Sequence, residues 1–333
     1  MIHVAKLSKH YRVHEKEAGF RGSLNAFFKR DFKTVRAVDE ISFKIAPGEI
    51  VGFLGANGAG KTTTLKMLSG LLHPSAGEVS VDGFEPKRRQ AEFLKTITLV
   101  MGQKQQLSWD LAALDSFLVN AAIYKIPDAV YKTRLTELTE MLSLDGLLNK
   151  QVRKLSLGER MKCELAAALL HNPKVLFLDE PTIGLDVNMQ ESVRDFIAAY
   201  NLRHGATVML TSHYMADVTA LAKRIIVIDQ GRVVFDGDLR KLVETRSPKK
   251  VLKLEFSEVQ TPGLLARYGE VRSCEGLRAE LLVSRHDLTR VSAQMLGELP
   301  IADISIEEVP VEEIIGQVFG RARLADEVAT LAK

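Results

Sequence analysis

Short apolar runs alternate along this chain with stretches of helical period. Ile50 to Leu54 is uninterrupted and apolar, the mark of a buried strand, and Leu65, Leu68 and Leu72 behind it have helical spacing. Ile97 to Met101, Val175 to Leu178, Thr207 to Thr211 and Arg224 to Asp229 repeat the strand signal, and Val233 to Phe235 follows the last across Gln230-Gly231 as in a hairpin. Leu111 to Leu148 is mostly helical, and Met161, Leu165, Ala168 and Leu169 again recur at helical spacing. A β-rich start followed by this alternation predicts a doubly wound α/β core.

Past Asp238 the pattern changes. Arg246-Ser247-Pro248-Lys249-Lys250 reads as a linker. Val251 to Phe256 alternates like a strand, with Val271 to Cys274, Ala279 to Val283 and Ile301 to Ile306 as further strands. Leu288 to Leu299 and Val311 to Phe319 read as helices. The expected division is a core over residues 1–240 and a small α+β appendage over residues 247–333, which carries no cluster of metal ligands or catalytic groups. A length of 333 residues fits that division at about 150 residues per domain.

Composition narrows the setting. A net charge of +3 argues against a dedicated nucleic-acid binder. Cys163 and Cys274, far apart, suit a reducing compartment and read as small buried apolar residues. No apolar stretch approaches the ~20 residues needed to span a bilayer. The first residues, MIHVAKLSKHY, lack the apolar core of a signal peptide. A soluble, cytoplasmic chain is expected.

The chemistry begins at Gly55, where GANGAGKTTT reads G-x-x-x-x-G-K-T between a strand and a helix. Gly55, Asn57, Gly58, Ala59 and Gly60 can close backbone N–H groups around phosphate oxygens, and the helix start adds its partial positive charge. Lys61 would reach the β- and γ-phosphates, and the Thr62 hydroxyl, beside Thr63, would ligate Mg²⁺. The chain is therefore expected to bind a nucleoside triphosphate. Val175 to Glu180 is an apolar strand that delivers two carboxylates at its end: Asp179 to hold the Mg²⁺, Glu180 to orient and deprotonate the attacking water. Ser156 is a good N-cap for the helix that precedes this strand.

Leu155-Ser156-Leu157-Gly158-Glu159 resembles the signature motif Leu-Ser-Gly-Gly-Gln of the ATP-binding cassette (ABC) ATPases. Leu157 stands where the family has Gly and Glu159 where it has Gln, while Ser156 and Gly158, the γ-phosphate contacts in the family, are retained. The resemblance covers roughly the first 240 residues and implies further roles. Gln103 matches the Q-loop glutamine, a Mg²⁺ ligand that senses the membrane partner, with Gln105 and Gln106 nearby. Gly184-Leu185-Asp186 matches the D-loop, His213 in Thr-Ser-His the switch histidine, and Tyr11 the aromatic that stacks on adenine. The family's helical subdomain would fall at about 103–155, with Trp109 either gripping the coupling helix of a membrane subunit or packing inside the subdomain. With Glu180 and His213 both present, an active ATPase is implied.

Residues 14–36 stand out as an insertion. Phe20, Phe27, Phe28 and Phe32 lie among Arg21, Lys29, Arg30, Lys33 and Arg36, and Leu24, Phe27 and Phe28 fit an amphipathic helix. Such a helix would fold onto its own domain or rest on a membrane surface or partner.

The resemblance implies two cassettes that sandwich two ATP molecules head to tail, most simply as a homodimer. It also implies separate membrane permease subunits, with this chain peripheral on the inner face of the cell membrane and driving export. The competing expectation is a soluble ABC ATPase acting on ribosomes or DNA. Single-cassette length and the absence of heptads between Lys61 and Ser156 count against it.

Overall fold

The computed structural model describes residues 2–14, 32–102, 106–311 and 313–316, which divide into two compact units, 1–237 and 238–333. In the first unit β1 (Ile2–His14) and β2 (Phe32–Ile45) form a long antiparallel ribbon, His14 opposite Phe32. β3 (Ile50–Leu54) leads through the glycine-rich loop into α1 (Lys61–Leu68), and β4 (Ala76–Val81) returns to pair with β1 in the order β2-β1-β4. The chain then runs through α2 (Ala91–Thr96), β5 (Ile97–Met101), α3 (Ala113–Tyr124), α4 (Asp128–Leu142) and α5 (Leu157–Leu169). β6 (Val175–Asp179), α6 (Val187–His204), β7 (Thr207–Thr211), α7 (Met215–Leu221), β8 (Arg224–Asp229) and β9 (Arg232–Asp238) complete it.

The central sheet has the order β5-β6-β7-β3-β8-β9, with β5 through β8 parallel neighbours around β3. Its inner strands β3, β6 and β7 are buried along nearly their whole length because both faces are covered. Val175 and Phe177 of β6 and Met209 of β7 pack with α1 and the three-stranded sheet. Leu176, Leu178, Val208 and Leu210, one residue out of phase, pack with α3, α4, α5 and α6. Period-two alternation thus shares β6 and β7 between two cores. The mostly parallel sheet with helices, the β-rich N-terminal layer and the helical segment make up the expected P-loop α/β fold.

The second unit consists of α8 (Leu239–Arg246), β10 (Lys249–Phe256), α9 (Pro262–Leu265), β11 (Glu270–Glu275), β12 (Arg278–Ser284), α10 (Leu288–Glu298) and β13 (Ile301–Glu308). Its antiparallel sheet has the order β11-β12-β10-β13, and Leu252, Leu254 and Phe256 pack with Val291 and Met295 of α10.

Four expectations need correction. Residues 246–250 are no linker, because α8 runs to Arg246 and β10 begins at Lys249. Residues 32–36, read as part of an insertion, are the start of β2; the amphipathic helix around Leu24 and Phe28 lies outside the described residues. The helix after the glycine-rich loop ends at Leu68, before Leu72, because Gly70 turns the chain with φ of 73°. Cys274 is only half-buried, whereas Cys163 is buried. Among the described residues no helix is long and apolar enough to cross a membrane.

Candidate active site

Register brings the chemistry together. Met101 pairs with Asp179 and Asp179 with Thr211, so β5, β6 and β7 end level with one another. The next residues, Gly102, Glu180 and Ser212, therefore emerge side by side, in the crevice at the carboxyl ends of the strands where open α/β sheets bind ligands.

The loop from Gly55 to Thr62 wraps a cavity of about 150 Å³ lined by Asn57, Gly58, Gly60, Lys61, Thr62, Thr63 and Glu180 among others. Gly60 has φ of 108°, and a Cβ there would lie 2.5 Å from the Ala37 carbonyl oxygen, so only glycine fits. Ala59 is buried, its carbonyl accepting the Gly231 N–H at 3.0 Å. Lys61 is buried and donates from Nζ to the carbonyls of Gly55 at 2.6 Å and Ala56 at 3.2 Å. Burial pushes its ammonium below the ordinary lysine range, and the charges of Glu180 and Asp179 oppose that shift.

The Asp179 carboxylate is fully engaged at the end of β6. Thr62 donates to its Oδ2 at 2.8 Å and Thr211 to its Oδ1 at 2.7 Å. Thr211 also receives the Glu180 N–H, at 3.1 Å to both its carbonyl and its hydroxyl oxygen. Those bonds hold Glu180 at φ of 54°, in the left-handed region, a strain of roughly 1–3 kcal/mol of the kind found at functional sites. The bend aims the carboxylate at His213, whose Nε2 lies 2.8 Å from Glu180 Oε1.

The signature segment is a capping box. Ser156 caps α5, its hydroxyl accepting the Glu159 N–H at 3.2 Å while Glu159 Oε2 accepts the Ser156 N–H at 2.8 Å. That backbone donor holds the Glu159 carboxyl below its ordinary range. Gly158 lies against the Met189 side chain of α6. Asp186 caps α6, accepting the Met189 N–H at 2.9 Å.

Tyr11 sits on β1 opposite Val35, half exposed, with Lys9 Nζ 5.3 Å from its ring centroid. Gln103 lies outside the described residues. Gln106 is structural, its side-chain amide donating to the Leu99 carbonyl at 2.9 Å. Trp109 is exposed, under the Arg160 guanidinium at 5.6 Å, and so does not pack inside the helical segment. Among the described residues no group of three or more His, Cys, Asp or Glu could hold a metal by itself.

Sequence reasoning missed Asp217 and Glu164, both buried carboxylates without a motif of their own. Thr211, legible from sequence as the end of a strand and the start of Thr-Ser-His, is the hydroxyl that joins Asp179 to Glu180.

Comparison with known proteins agrees with this geometry. A family model described as ABC transporter matches residues 38–183, and one described as EvrA-like ABC transporter, C-terminal domain, matches residues 248–307. The ABC transporter ATP-binding protein NatA of Bacillus subtilis is 36% identical over 218 residues, covering 66% of this chain and 88% of NatA. The Nod factor export ATP-binding protein I of Burkholderia pseudomallei is 36% identical over 244 residues, 72% of this chain and 78% of that protein. A dimeric ATP-binding cassette in a post-hydrolysis state, bound to ADP and Pi, superposes with a TM-score of 0.59 at 25% identity, covering 72% of this chain and 99% of that one. Identity at this level, carried across nearly the whole of NatA, means that the chain belongs to the ATP-binding subunits of ABC transporters and is an ATPase.

Proposed function

We propose that the chain drives export through separate membrane permease subunits, as a homodimer on the inner face of the membrane. The observation that carries hydrolysis is the 2.8 Å contact between Glu180 and His213 at the cavity of the phosphate loop. In this reading Gly55, Asn57, Gly58, Ala59, Gly60, Lys61, Thr62 and Thr63 hold the ATP phosphates, and Tyr11 stacks on the adenine. Glu180 takes the proton of the attacking water, and His213 contacts the γ-phosphate. Ser156 and Gly158 of the second copy close over that phosphate, with Asp186 at the interface.

The oxygens of Thr62 and Asp179, 2.8 Å apart, suit a hard cation, so we assign them to Mg²⁺ together with Gln103. When bound, that ion neutralises charge developing on the phosphates.

Export is supported by the name of the Nod factor relative, and pairing by the dimeric cassette. A largely apolar cleft of about 460 Å³ beside Gln106, lined by Leu94, Leu99, Tyr124 and the exposed Leu71 and Ile123, supports a permease seat. We assign residues 1–240 to nucleotide binding and 247–333 to dimerisation or regulation.

The test is Glu180→Gln. ATP binding should persist, turnover should nearly vanish, and an ATP-bound dimer should accumulate in size-exclusion chromatography. Undiminished turnover overturns the assignment of the base. For the permease, tagged protein recovered from detergent-solubilised native membranes should bring down a protein with many membrane spans. Recovery of ribosomal proteins alone would refute it.

A further inference from the structure

The buried carboxylate of Asp217, on α7, ties together three segments that surround the Glu180–His213 pair. It is 1% exposed. Its Oδ2 accepts the hydroxyls of Thr182 at 2.5 Å and Ser212 at 2.6 Å, and its Oδ1 accepts Nη1 of Arg194 at 2.9 Å. The Ser212 hydroxyl in turn accepts the Tyr214 N–H at 2.9 Å. Ser212 and Tyr214 flank His213. Thr182 follows Glu180 by two residues, and Arg194 lies on α6, the helix capped by Asp186.

His213 needs this help. Its side chain is 40% exposed, so packing does not hold the imidazole. The backbone on either side of it is held instead, by a serine hydroxyl whose own proton is committed to Asp217. The same carboxylate oxygen takes the proton of Thr182, in the turn where the Ile183 N–H donates to the Glu180 carbonyl at 3.3 Å. One charge therefore sets the base and the switch histidine against a common reference. Arg194 supplies the cation that makes an ionised aspartate tolerable at this depth.

Resting on the assignment of Glu180 and His213 above, we infer that Asp217 is a positioning residue for hydrolysis, holding those two side chains at the separation the reaction needs, without touching the nucleotide. A misplacement of about 1 Å at a reacting group can cost on the order of 100-fold in rate. Asp217→Asn keeps the shape but offers one acceptor oxygen where two are used, so an amide N–H must face either the two hydroxyls or the Arg194 guanidinium.

The experiment measures steady-state Mg²⁺-ATP turnover and fluorescent-ATP binding on the full chain. Asp217→Asn should lower kcat by roughly 10- to 100-fold while KM and nucleotide affinity stay within about twofold. Adding Arg194→Leu should restore part of kcat, because the amide oxygen can then turn to the hydroxyls with no cation left against its N–H. Ser212→Ala removes the hydroxyl that links the Tyr214 N–H to Asp217 and decides the matter if Asp217→Asn does not fold; it too should lower kcat with KM unchanged. Native kcat in a folded Asp217→Asn, or in Ser212→Ala when Asp217→Asn does not fold, overturns the inference. So does a loss of kcat that tracks only a fall in Tm and is not restored by Arg194→Leu. Glu180→Gln, run in parallel, separates the two levels: if it retains turnover the site assignment itself is wrong, whereas if it alone loses turnover only the role of Asp217 is.

Discussion

Glu164, in the middle of the helix that Ser156 caps, accepts the backbone N–H groups of Gln106 at 2.9 Å and Leu107 at 3.3 Å. The carboxylate is buried and joins the signature helix to the segment beside the apolar cleft. Glu164→Leu would leave the N–H of the buried Leu107 without an acceptor, a loss of about 1–3 kcal/mol, while the N–H of the exposed Gln106 can turn to water. Glu164→Gln retains one acceptor oxygen and should lose about 1 kcal/mol or less. Burial raises the carboxyl above its ordinary pKa of 4.5. Its stabilising contribution is therefore complete below 4.5 and is lost as pH rises through the folded value; Glu164→Gln should remove that slope. Urea unfolding followed by Trp109 fluorescence, at pH 4.5 and 7, checks both statements.

His171 supplies the opposite pH dependence. The ring is buried, stacked on Tyr124 at 3.9 Å, with Nε2 2.9 Å from the Ile97 carbonyl oxygen. Burial lowers its pKa from 6.5 to about 4. Stability is then complete above pH 6.5 and is lost as pH falls toward 4, by up to about 3 kcal/mol, because only the unfolded ring gains its proton easily in that window. His171→Phe keeps the stacking and should flatten this part of the acid limb. An equally steep decline in the variant would assign the effect elsewhere.

Two glycines of the phosphate loop should differ sharply. A Cβ at Gly60 would lie 2.5 Å from the Ala37 carbonyl oxygen, whereas at Gly58 nothing lies within 4 Å. Both have positive φ, so Gly58→Ala should cost only about 1 kcal/mol of backbone strain and leave much of the ATP affinity. Gly60→Ala must move β2 or the loop and should abolish binding. Calorimetric titration with ATP distinguishes them, and equal affinities would contradict the geometry.

The capping box accommodates the departure of Glu159 from the family's glutamine. Glutamine serves the same third helical position, so Glu159→Gln should change stability by no more than about 0.5 kcal/mol. Ser156→Ala loses the cap itself, about 1 kcal/mol. Thermal unfolding of the two variants, compared with their ATP turnover, separates the structural part of Ser156 from the part proposed for it at the γ-phosphate: turnover in Ser156→Ala should fall far more than its Tm implies.

The strands of the central sheet were legible almost to the residue. Ile50–Leu54, Ile97–Met101, Thr207–Thr211 and Arg224–Asp229 are apolar because both faces are covered, and turn residues bound them. β4 was not legible, since only Val79 and Val81 of its six residues are buried and the alternation is too short to register. α8 was hidden because its eight residues end against Ser247-Pro248, which dominates the local pattern. At the site, residue types and spacing marked Lys61, Asp179 and Glu180, and the family resemblance added His213. Register alone explains why Glu180 and His213 meet, as Asp179 pairs with Thr211. The converging donors on Asp217 come from three separate segments, and a linear pattern carries no trace of that convergence.

The end of β5 meets the end of β6 closely through main chain. The Gly102 N–H donates to the Asp179 carbonyl at 2.9 Å, and a Cβ on Gly102 would lie 2.1 Å from the Glu180 carbonyl oxygen. No rotamer can absorb motion at such a joint. Displacement of the chain at Gly102 would therefore bear first on the peptide of Glu180, the base proposed above. A single added methyl group at Gly102 would jam such a linkage, against the Glu180 carbonyl and the Ile183 side chain at once.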